Sequence, residues 1–120
     1  MTEPAGAGAL VPTLRVRVAG DSVSFDLAVA NGAESAVVLS FATSQRYDFV
    51  VRDAAGAEVW RWSADRMFTQ VLSEETVPAG GLLEYHGTWR ADSPGSYRVE
   101  ARLESSDHPL SLLAEIEVPA

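Results

Sequence analysis

Residues 43–70 read TSQRYDFVVRDAAGAEVWRWSADRMFTQ, and this stretch decides the fold. Apolar and polar side chains alternate over residues 46–52, which is the two-residue period of a β-strand. Residues 53–56 supply the Asp and Gly of a tight turn, and alternation resumes over residues 58–62 with two Trp residues on one face. The stretch therefore predicts a β-hairpin at the centre of the chain.

The two-residue period ends after this hairpin. Ser63 stands where the N-cap of a helix would lie, with Asp65 in the first turn, so one short helical turn through Arg66 is predicted. Residues 67–72 follow no period, and we predict that they are extended or form a loop.

Short alternating segments continue on both sides of the stretch. They cover residues 14–18, 23–29, 37–41, 83–89, 97–103 and 112–118, with turn signals at 20–21, 31–32, 78–81, 92–95 and 106–109. About eight short strands without an amphipathic helix predict an all-β fold, an antiparallel β-sandwich. A closed barrel is the alternative.

Three positions carry more specific predictions. Asn31-Gly32 tolerates positive φ and predicts a tight connection between two strands. Gly87 lies between two aromatic residues of one strand and is a candidate β-bulge. Tyr97 follows a Pro-Gly turn, as in the tyrosine corner of immunoglobulin-like domains, so we predict an immunoglobulin-like sandwich without the disulfide.

The chain has 120 residues, which is a common size for one domain. Residues 1–12 are rich in Ala, Gly and Pro and are predicted to be a disordered or frayed tail, with a single domain over residues 13–120. Glu3 and Pro12 do not fit a secretory signal, and no apolar run approaches the roughly 18 residues of a membrane span. We therefore expect a cytoplasmic protein without a membrane partner.

Composition and motifs exclude several classes of function. The 17 acidic residues outnumber the 9 basic ones, which gives a formal net charge of −8 and an acidic surface that disfavours nucleic acid. The chain has no Cys, and His86 and His108 lie on different predicted elements without the spacing of metal ligands. No nucleophile or phosphate-loop motif is present, so no enzyme, metal or cofactor is predicted.

Two interpretations of residues 43–70 stay open at this point. In the first, the aromatic residues belong to the core and the charged residues form a surface ion-pair ladder. The residues concerned are Tyr47, Phe49, Trp60 and Phe68 for the core, and Arg46, Asp48 and Arg61 for the ladder. In the second, residues 62–70 form an exposed recognition loop, because Trp, Met and Arg are enriched at protein interfaces.

Three motifs of this stretch resemble those of a known family. They are TSQRYDF at 43–49, VWRWS at 59–63 and MFTQ at 67–70, followed by a Pro-Ala-Gly-Gly turn, Tyr85 and Trp89. In this order they resemble the BsuPI-type intracellular proteinase inhibitors of bacteria, with Gly81 where the family usually has Glu. The resemblance extends over residues 23–118, nearly the whole predicted domain.

The resemblance implies an immunoglobulin-like β-sandwich that inhibits a cytoplasmic subtilisin-like serine protease. We expect it to act by non-covalent occlusion of the protease active site. The candidate protease contacts are Trp62, Arg66, Met67, Phe68, Thr69 and Gln70, with Met67 or Phe68 filling a large apolar primary pocket. The candidates for supporting this loop are Arg46, Asp48, Trp60 and Arg61. The alternative is a non-inhibitory immunoglobulin-like module that binds or assembles with another protein, for example by strand addition at a sheet edge.

Overall fold

The structure, a computed structural model, describes residues 9–120. Its β-strands are β1 (Leu10–Ala19), β2 (Ser22–Asn31), β3 (Val37–Phe41), β4 (Tyr47–Asp53), β5 (Glu58–Arg61), β6 (Ser73–Val77), β7 (Leu82–Arg90), β8 (Gly95–Leu103) and β9 (Leu110–Val118). A 3-10 helix, Trp62–Asp65, follows β5 at the place where the sequence predicts a short helical turn.

The strands form three antiparallel sheets. One has the order β1-β2-β7, the second has the order β5-β4-β8-β9, and β3 pairs with β6 alone. The β1–β2 and β4–β5 hairpins turn at Gly20 and Gly56, whose φ angles of 63° and 88° are readily accessible to Gly. The predicted all-β antiparallel fold is confirmed, while the immunoglobulin-like arrangement stays a prediction.

The three-stranded and four-stranded sheets are joined through aromatic side chains. Phe25 of β2 stacks on Phe49 of β4 and on Trp60 of β5, with ring centroids 5.3 and 5.8 Å apart. Trp89 of β7 meets Tyr97 of β8 edge-on at 5.0 Å. Phe25 and Phe49 are fully buried, so these contacts lie at the centre of the hydrophobic core.

The β3–β6 pair extends the same core, although the sequence does not predict β6. Its sequence, SEETV, offers one buried apolar side chain, Val77, which joins Val37, Leu39 and Phe41 of β3. Two adjacent acidic residues, Glu74 and Glu75, lie on this strand. Glu74 is exposed, but Glu75 is half-buried and pairs with Arg46 at 3.2 Å.

The prediction of a tight strand connection at Asn31-Gly32 is wrong. β2 and β3 lie in different sheets, and positive φ occurs at other glycines. Asn31 is 1% exposed, and its side-chain amide donates to the carbonyl oxygens of Val77 and Pro78 at 3.0 and 3.2 Å. A buried amide with these partners satisfies backbone groups where β2 leaves its sheet, which explains why Asn stands there.

β1 begins earlier than predicted, at Leu10, so residues 10–12 do not belong to a frayed tail. Leu10 is 4% exposed, pairs with Asn31 in the β1–β2 ladder and belongs to the core. Burial of this single large side chain holds the strand start in place, against the Ala- and Gly-rich composition around it. Residues 1–8 of the predicted tail lie outside the described residues.

The structure also tests the predictions made for Gly87 and Tyr97. Gly87 is not a bulge, because it faces Phe25 in an unbroken β2–β7 register. A Cβ at Gly87 would lie 3.1 Å from Phe49 and 3.2 Å from Trp62, so the position is small because two aromatic rings approach it. The Tyr97 hydroxyl donates to the carbonyl of Ser93 at 2.6 Å, which is the contact that a tyrosine corner makes.

Candidate functional site

The segment Arg66–Leu72, here called the 66–72 loop, lies between the 3-10 helix and β6. Three of its four apolar side chains face solvent: Met67 is 98% exposed, Leu72 is 83% exposed and Val71 is 58% exposed. Phe68 is half-buried. Apolar side chains clustered on one exposed segment are typical of a surface that contacts another protein.

Asp48 of β4 fixes the chain immediately before this loop. The Asp48 carboxylate is 2% exposed and accepts hydrogen bonds from the Ser63 hydroxyl at 2.5 Å and the Ser63 N–H at 3.1 Å. It also accepts from the N–H of Phe49 at 2.9 Å, and Arg61 lies at 3.4 Å. A buried carboxylate with several donors is strongly held, so its hydrogen bonds to Ser63 fix the position of the start of the 3-10 helix.

The predicted N-cap role of Ser63 is wrong. The N-cap position belongs to Arg61, where the structure records no side-chain cap, and Ser63 lies within the helix. Its hydroxyl donates to the Asp48 carboxylate because that buried acceptor lies within reach on the neighbouring strand.

A stack of aromatic rings also supports the N-terminal end of the 66–72 loop. Trp62 stacks on Tyr47 with centroids 4.2 Å apart, and Tyr47 stacks on Tyr85 of β7 at 4.6 Å. Phe68 lies against Trp62 at 6.0 Å, so it closes the stack from the loop side. Burial raises the pKa of the Tyr47 hydroxyl, which donates to the carbonyl of His86 at 3.2 Å.

Arg66 turns back from the loop onto the stack. Its guanidinium lies over the Trp62 ring at 4.1 Å, and its Nε donates to the Trp62 carbonyl at 3.1 Å. The backbone N–H of Arg66 donates to the carbonyl of Ser63 at 3.1 Å. The first residue of the loop is therefore held by three contacts, including a cation–π interaction.

A second attachment holds the middle of the loop. The Thr69 N–H donates to the Ser44 hydroxyl at 2.8 Å, and the Ser44 N–H donates to the Thr69 carbonyl at 2.9 Å. Beyond the loop, Arg46 donates to the Ser73 hydroxyl at 3.0 Å and lies over the Phe41 ring at 4.3 Å. The exposed residue Met67 thus lies between two fixed points, Arg66 and Thr69.

The loop base is defined here as Tyr47, Asp48, Trp62 and Ser63. The structure separates the predicted ladder of Arg46, Asp48 and Arg61. Arg61 pairs with Asp48 and with Glu58 at 2.7 Å, whereas Arg46 pairs with Glu75.

The other predicted positions divide between core and surface. Trp60 packs on Phe25 in the core, and Trp62 and Phe68 are half-buried. Arg66, Met67, Thr69 and Gln70 are exposed.

Sequence reasoning missed other residues of this region: Ser44, Ser63, Val71, Leu72 and Tyr85. The adjacent apolar residues Val71 and Leu72, in a segment that lacks the two-residue period of a strand, could have indicated a contact surface. The roles of Ser44 and Tyr85 depend on chain segments that are distant in sequence, so no local pattern marks them.

The outer face of the four-stranded sheet offers charges that are already paired. Glu100 accepts from Arg52 at 3.0 Å and from Arg102 at 2.9 Å, and the Arg102 hydrogen bond is the main cause of its lowered pKa.

Within residues 9–120 there is no group of three or more side chains arranged to hold a metal ion. In the same part of the chain no helix is long and apolar enough to cross a bilayer.

The described residues therefore define an antiparallel all-β protein with one braced apolar loop. A family model described as "BsuPI: Intracellular proteinase inhibitor" matches residues 10–108, and the chain belongs to this family. The match covers most of the chain, so the predicted family is confirmed. No curated protein matches the chain.

Several solved structures share the fold. A transglutaminase of red sea bream is 15% identical with a TM-score of 0.60 over 93% of this chain and 16% of its own. The sporulation control protein Spo0M of Bacillus subtilis is 17% identical with a TM-score of 0.57 over 94% of this chain and 50% of its own. A structural-genomics target, SoR45, is 12% identical with a TM-score of 0.51 over 93% and 87%. At these identities the likeness concerns the fold alone.

Proposed function

We propose that this protein inhibits a subtilisin-like serine protease of the cytoplasm by occluding its active site with the 66–72 loop. Membership in an intracellular proteinase inhibitor family supports inhibition of a proteinase. The observation that carries the assignment to this loop is Met67, a large apolar side chain that is 98% exposed between two fixed points. The target class and the occlusion mechanism are parts of the proposal.

Met67 is a better candidate than Phe68 for the primary pocket of the protease. Phe68 is half-buried and lies against Trp62 at 6.0 Å, so its insertion into a pocket would first break an intramolecular contact. Met67 has no such contact to break. An unbranched apolar side chain of this length suits a deep apolar pocket, and thioethers adapt readily to pocket shape.

The bracing of the loop favours tight binding. Ordering a flexible loop on association costs free energy, and a loop that is already held pays less of this cost. Asp48, Trp62 and Ser44 hold the 66–72 loop before any partner arrives. Protease–inhibitor interfaces bury about 1,600 Å² in total, so Val71, Leu72 and Gln70 would take part alongside Met67.

The direct test is a titration of a purified subtilisin-like serine protease from the same cell with this protein. We expect stoichiometric inhibition that a reversible active-site ligand of the protease competes away. Phe68→Asp should lower the melting temperature because Phe68 packs on Trp62, whereas Met67→Asp should weaken inhibition and leave the melting temperature unchanged. Absence of stoichiometric inhibition across subtilisin-like proteases would contradict the proposal.

A binding module without inhibitory activity is the second candidate. β5 is an edge strand of the four-stranded sheet, and its Val59 is 44% exposed, so a partner strand could pair there. In that case Val59→Lys would abolish partner binding, while Met67→Asp would have no effect on it. Recovery of a non-protease partner that depends on Val59 would favour this function.

A further inference from the structure

We infer that Met67 is an oxidation site, and that its conversion to the sulfoxide by peroxide switches inhibition off. The effect on inhibition rests on the proposed function of the 66–72 loop. The oxidation itself rests on the exposure and surroundings of Met67 alone, so the two can be tested separately.

The composition of the chain directs oxidation to this residue. The chain has two Met residues and no Cys, and the other Met is the N-terminal residue. No thiol is present to react with peroxide first, and susceptibility of a thioether rises with its exposure. Met67 at 98% exposed is as accessible as a side chain in a folded protein can be.

The surroundings keep the sulfur accessible. The side chains on either side of Met67 are directed to the Trp62 ring: Arg66 lies over it at 4.1 Å, and Phe68 lies against it at 6.0 Å. Thr69 is held to Ser44 by two hydrogen bonds. Because its neighbours are fixed elsewhere, the thioether of Met67 stays open to solvent.

The chemistry is a two-electron oxygen transfer. The thioether sulfur attacks one oxygen of hydrogen peroxide, an S–O bond forms, the O–O bond breaks, and the other oxygen leaves as water after proton transfer. Sulfur is oxidised and the peroxide is reduced. A thiol-dependent sulfoxide reductase reverses the change, because two thiols are oxidised to a disulfide and the oxygen leaves as water.

The consequence for binding follows from polarity. The sulfoxide oxygen is a strong acceptor, and in an apolar primary pocket it has no donor. A buried acceptor without a partner weakens the complex by roughly 10- to 100-fold. The fold should not respond, because Met67 contributes no buried surface to the core.

The experiment treats the full-length protein with hydrogen peroxide, removes the peroxide with catalase, and then titrates the protease. Peptide mass spectrometry should locate one added oxygen at Met67, the inhibition constant should rise roughly 10- to 100-fold, and the melting temperature should stay the same. Methionine sulfoxide reductase with a dithiol should restore inhibition. Met67→Leu lacks the thioether, so its inhibition constant, whatever its starting value, should be the same before and after peroxide treatment, although the variant keeps Met1.

The outcomes separate this inference from the proposed function. Oxidised Met67 with unchanged inhibition, while Met67→Asp does weaken inhibition, would overturn the switch and leave the function standing. Peroxide sensitivity of Met67→Leu would also overturn it, because another residue would then be responsible. Failure of the untreated protein to inhibit would overturn the proposed function and the switch together.

Discussion

The loop base contacts the start of the 66–72 loop, and the two regions use their side chains in opposite ways. In the base, Asp48 is 2% exposed and bonded to Ser63, and Trp62 is stacked on Tyr47. In the loop, Met67 and Leu72 are 98% and 83% exposed. Polar groups are buried and satisfied in the base, whereas apolar groups are solvated in the loop, which reverses the usual distribution.

This difference indicates a division of tasks. Burial and hydrogen bonding in the base contribute to the stability of the fold and fix the position of the loop. Exposed apolar side chains contribute almost nothing to stability, and clustered on one segment they are typical of a surface that contacts another protein. Changes in the base should therefore alter folding, and changes at the exposed apolar residues of the loop, such as Met67 and Leu72, should alter binding alone.

The largest effect on stability is expected from Asp48→Ala. The substitution removes the acceptor for the Ser63 hydroxyl and N–H and one partner of Arg61, in a buried position. We expect a loss of about 3 kcal/mol in the free energy of unfolding, measured by urea denaturation. Asp26→Ala, at an exposed position of β2, is the matched control and should change stability by less than about 0.5 kcal/mol. Equal effects of the two variants would contradict a special role of the base.

A somewhat smaller effect is expected from Gly87→Ala. The new methyl group would lie 3.1 Å from Phe49 and 3.2 Å from Trp62, so one ring must move. Overpacking of this kind costs about 2 kcal/mol, and a shift of Trp62 would also be seen in Trp fluorescence. Gly32→Ala, whose Cβ meets only a backbone oxygen at 3.6 Å, is the control. If Gly87→Ala proves as stable as the control, the stack does not constrain Trp62.

The pH dependence of stability tests the hydrogen bonds that the Asp107 carboxylate accepts from Ser40 and Ser105. The Ser40 N–H, followed by the Ser105 hydroxyl, lowers the pKa of the Asp107 carboxyl, with the donors 2.9 and 2.7 Å away. The pKa of Asp107 is lower in the folded state than in the unfolded state. Its stabilising contribution is therefore complete above the unfolded-state pKa of about 3.9, and it is lost as the pH falls through the folded-state pKa.

Asp107→Asn should therefore be less stable than the wild type at neutral pH, with the difference shrinking below pH of about 4. Thermal unfolding as a function of pH measures this. Asp92→Asn, in an exposed turn, is the matched control and should be as stable as the wild type at neutral pH. A constant difference at all pH values would show that Asp107 acts by its shape and not by its charge.

The smallest effect on stability is expected from Arg66→Ala, at the boundary between the two regions. Loss of the cation–π contact with Trp62 should cost about 0.5–1 kcal/mol, while the inhibition constant should rise about 3- to 10-fold because the loop is less fixed. Arg98→Ala, which removes an exposed pair with Glu115, should change neither quantity appreciably. No change in inhibition for Arg66→Ala would show that this contact does not position the loop.

The sequence predicts the parts of the fold that depend on local pattern. Alternation in β4 and β5 and the turn at residues 53–56 predict the central hairpin. The Pro-Gly turn before Tyr97 indicates a tyrosine corner, and the structure shows the Tyr97 hydroxyl donating to the Ser93 carbonyl. These predictions succeed because neighbouring residues determine the two-residue period of a strand and the type of turn.

The failures involve partners that are distant in the chain. β6 has one buried apolar residue, and its strand is stabilised by pairing with β3. Asn31 and Ser63 have residue types that suit turns and caps, but buried partners from other strands decide their roles. The exposed segment after Ser63 was predictable because it breaks the period, whereas its bracing by Ser44 and Tyr85 was not.

The most direct test of the division between base and loop is the inhibition constant of Met67→Asp, with the melting temperature measured on the same sample. Leu113→Asp is the matched control, since Leu113 is a 63% exposed apolar residue on β9. We expect Met67→Asp to weaken inhibition about 100-fold or more with an unchanged melting temperature, while Leu113→Asp inhibits like the wild type. Full inhibition by Met67→Asp, or a fall in its melting temperature that accounts for the loss, would contradict this division.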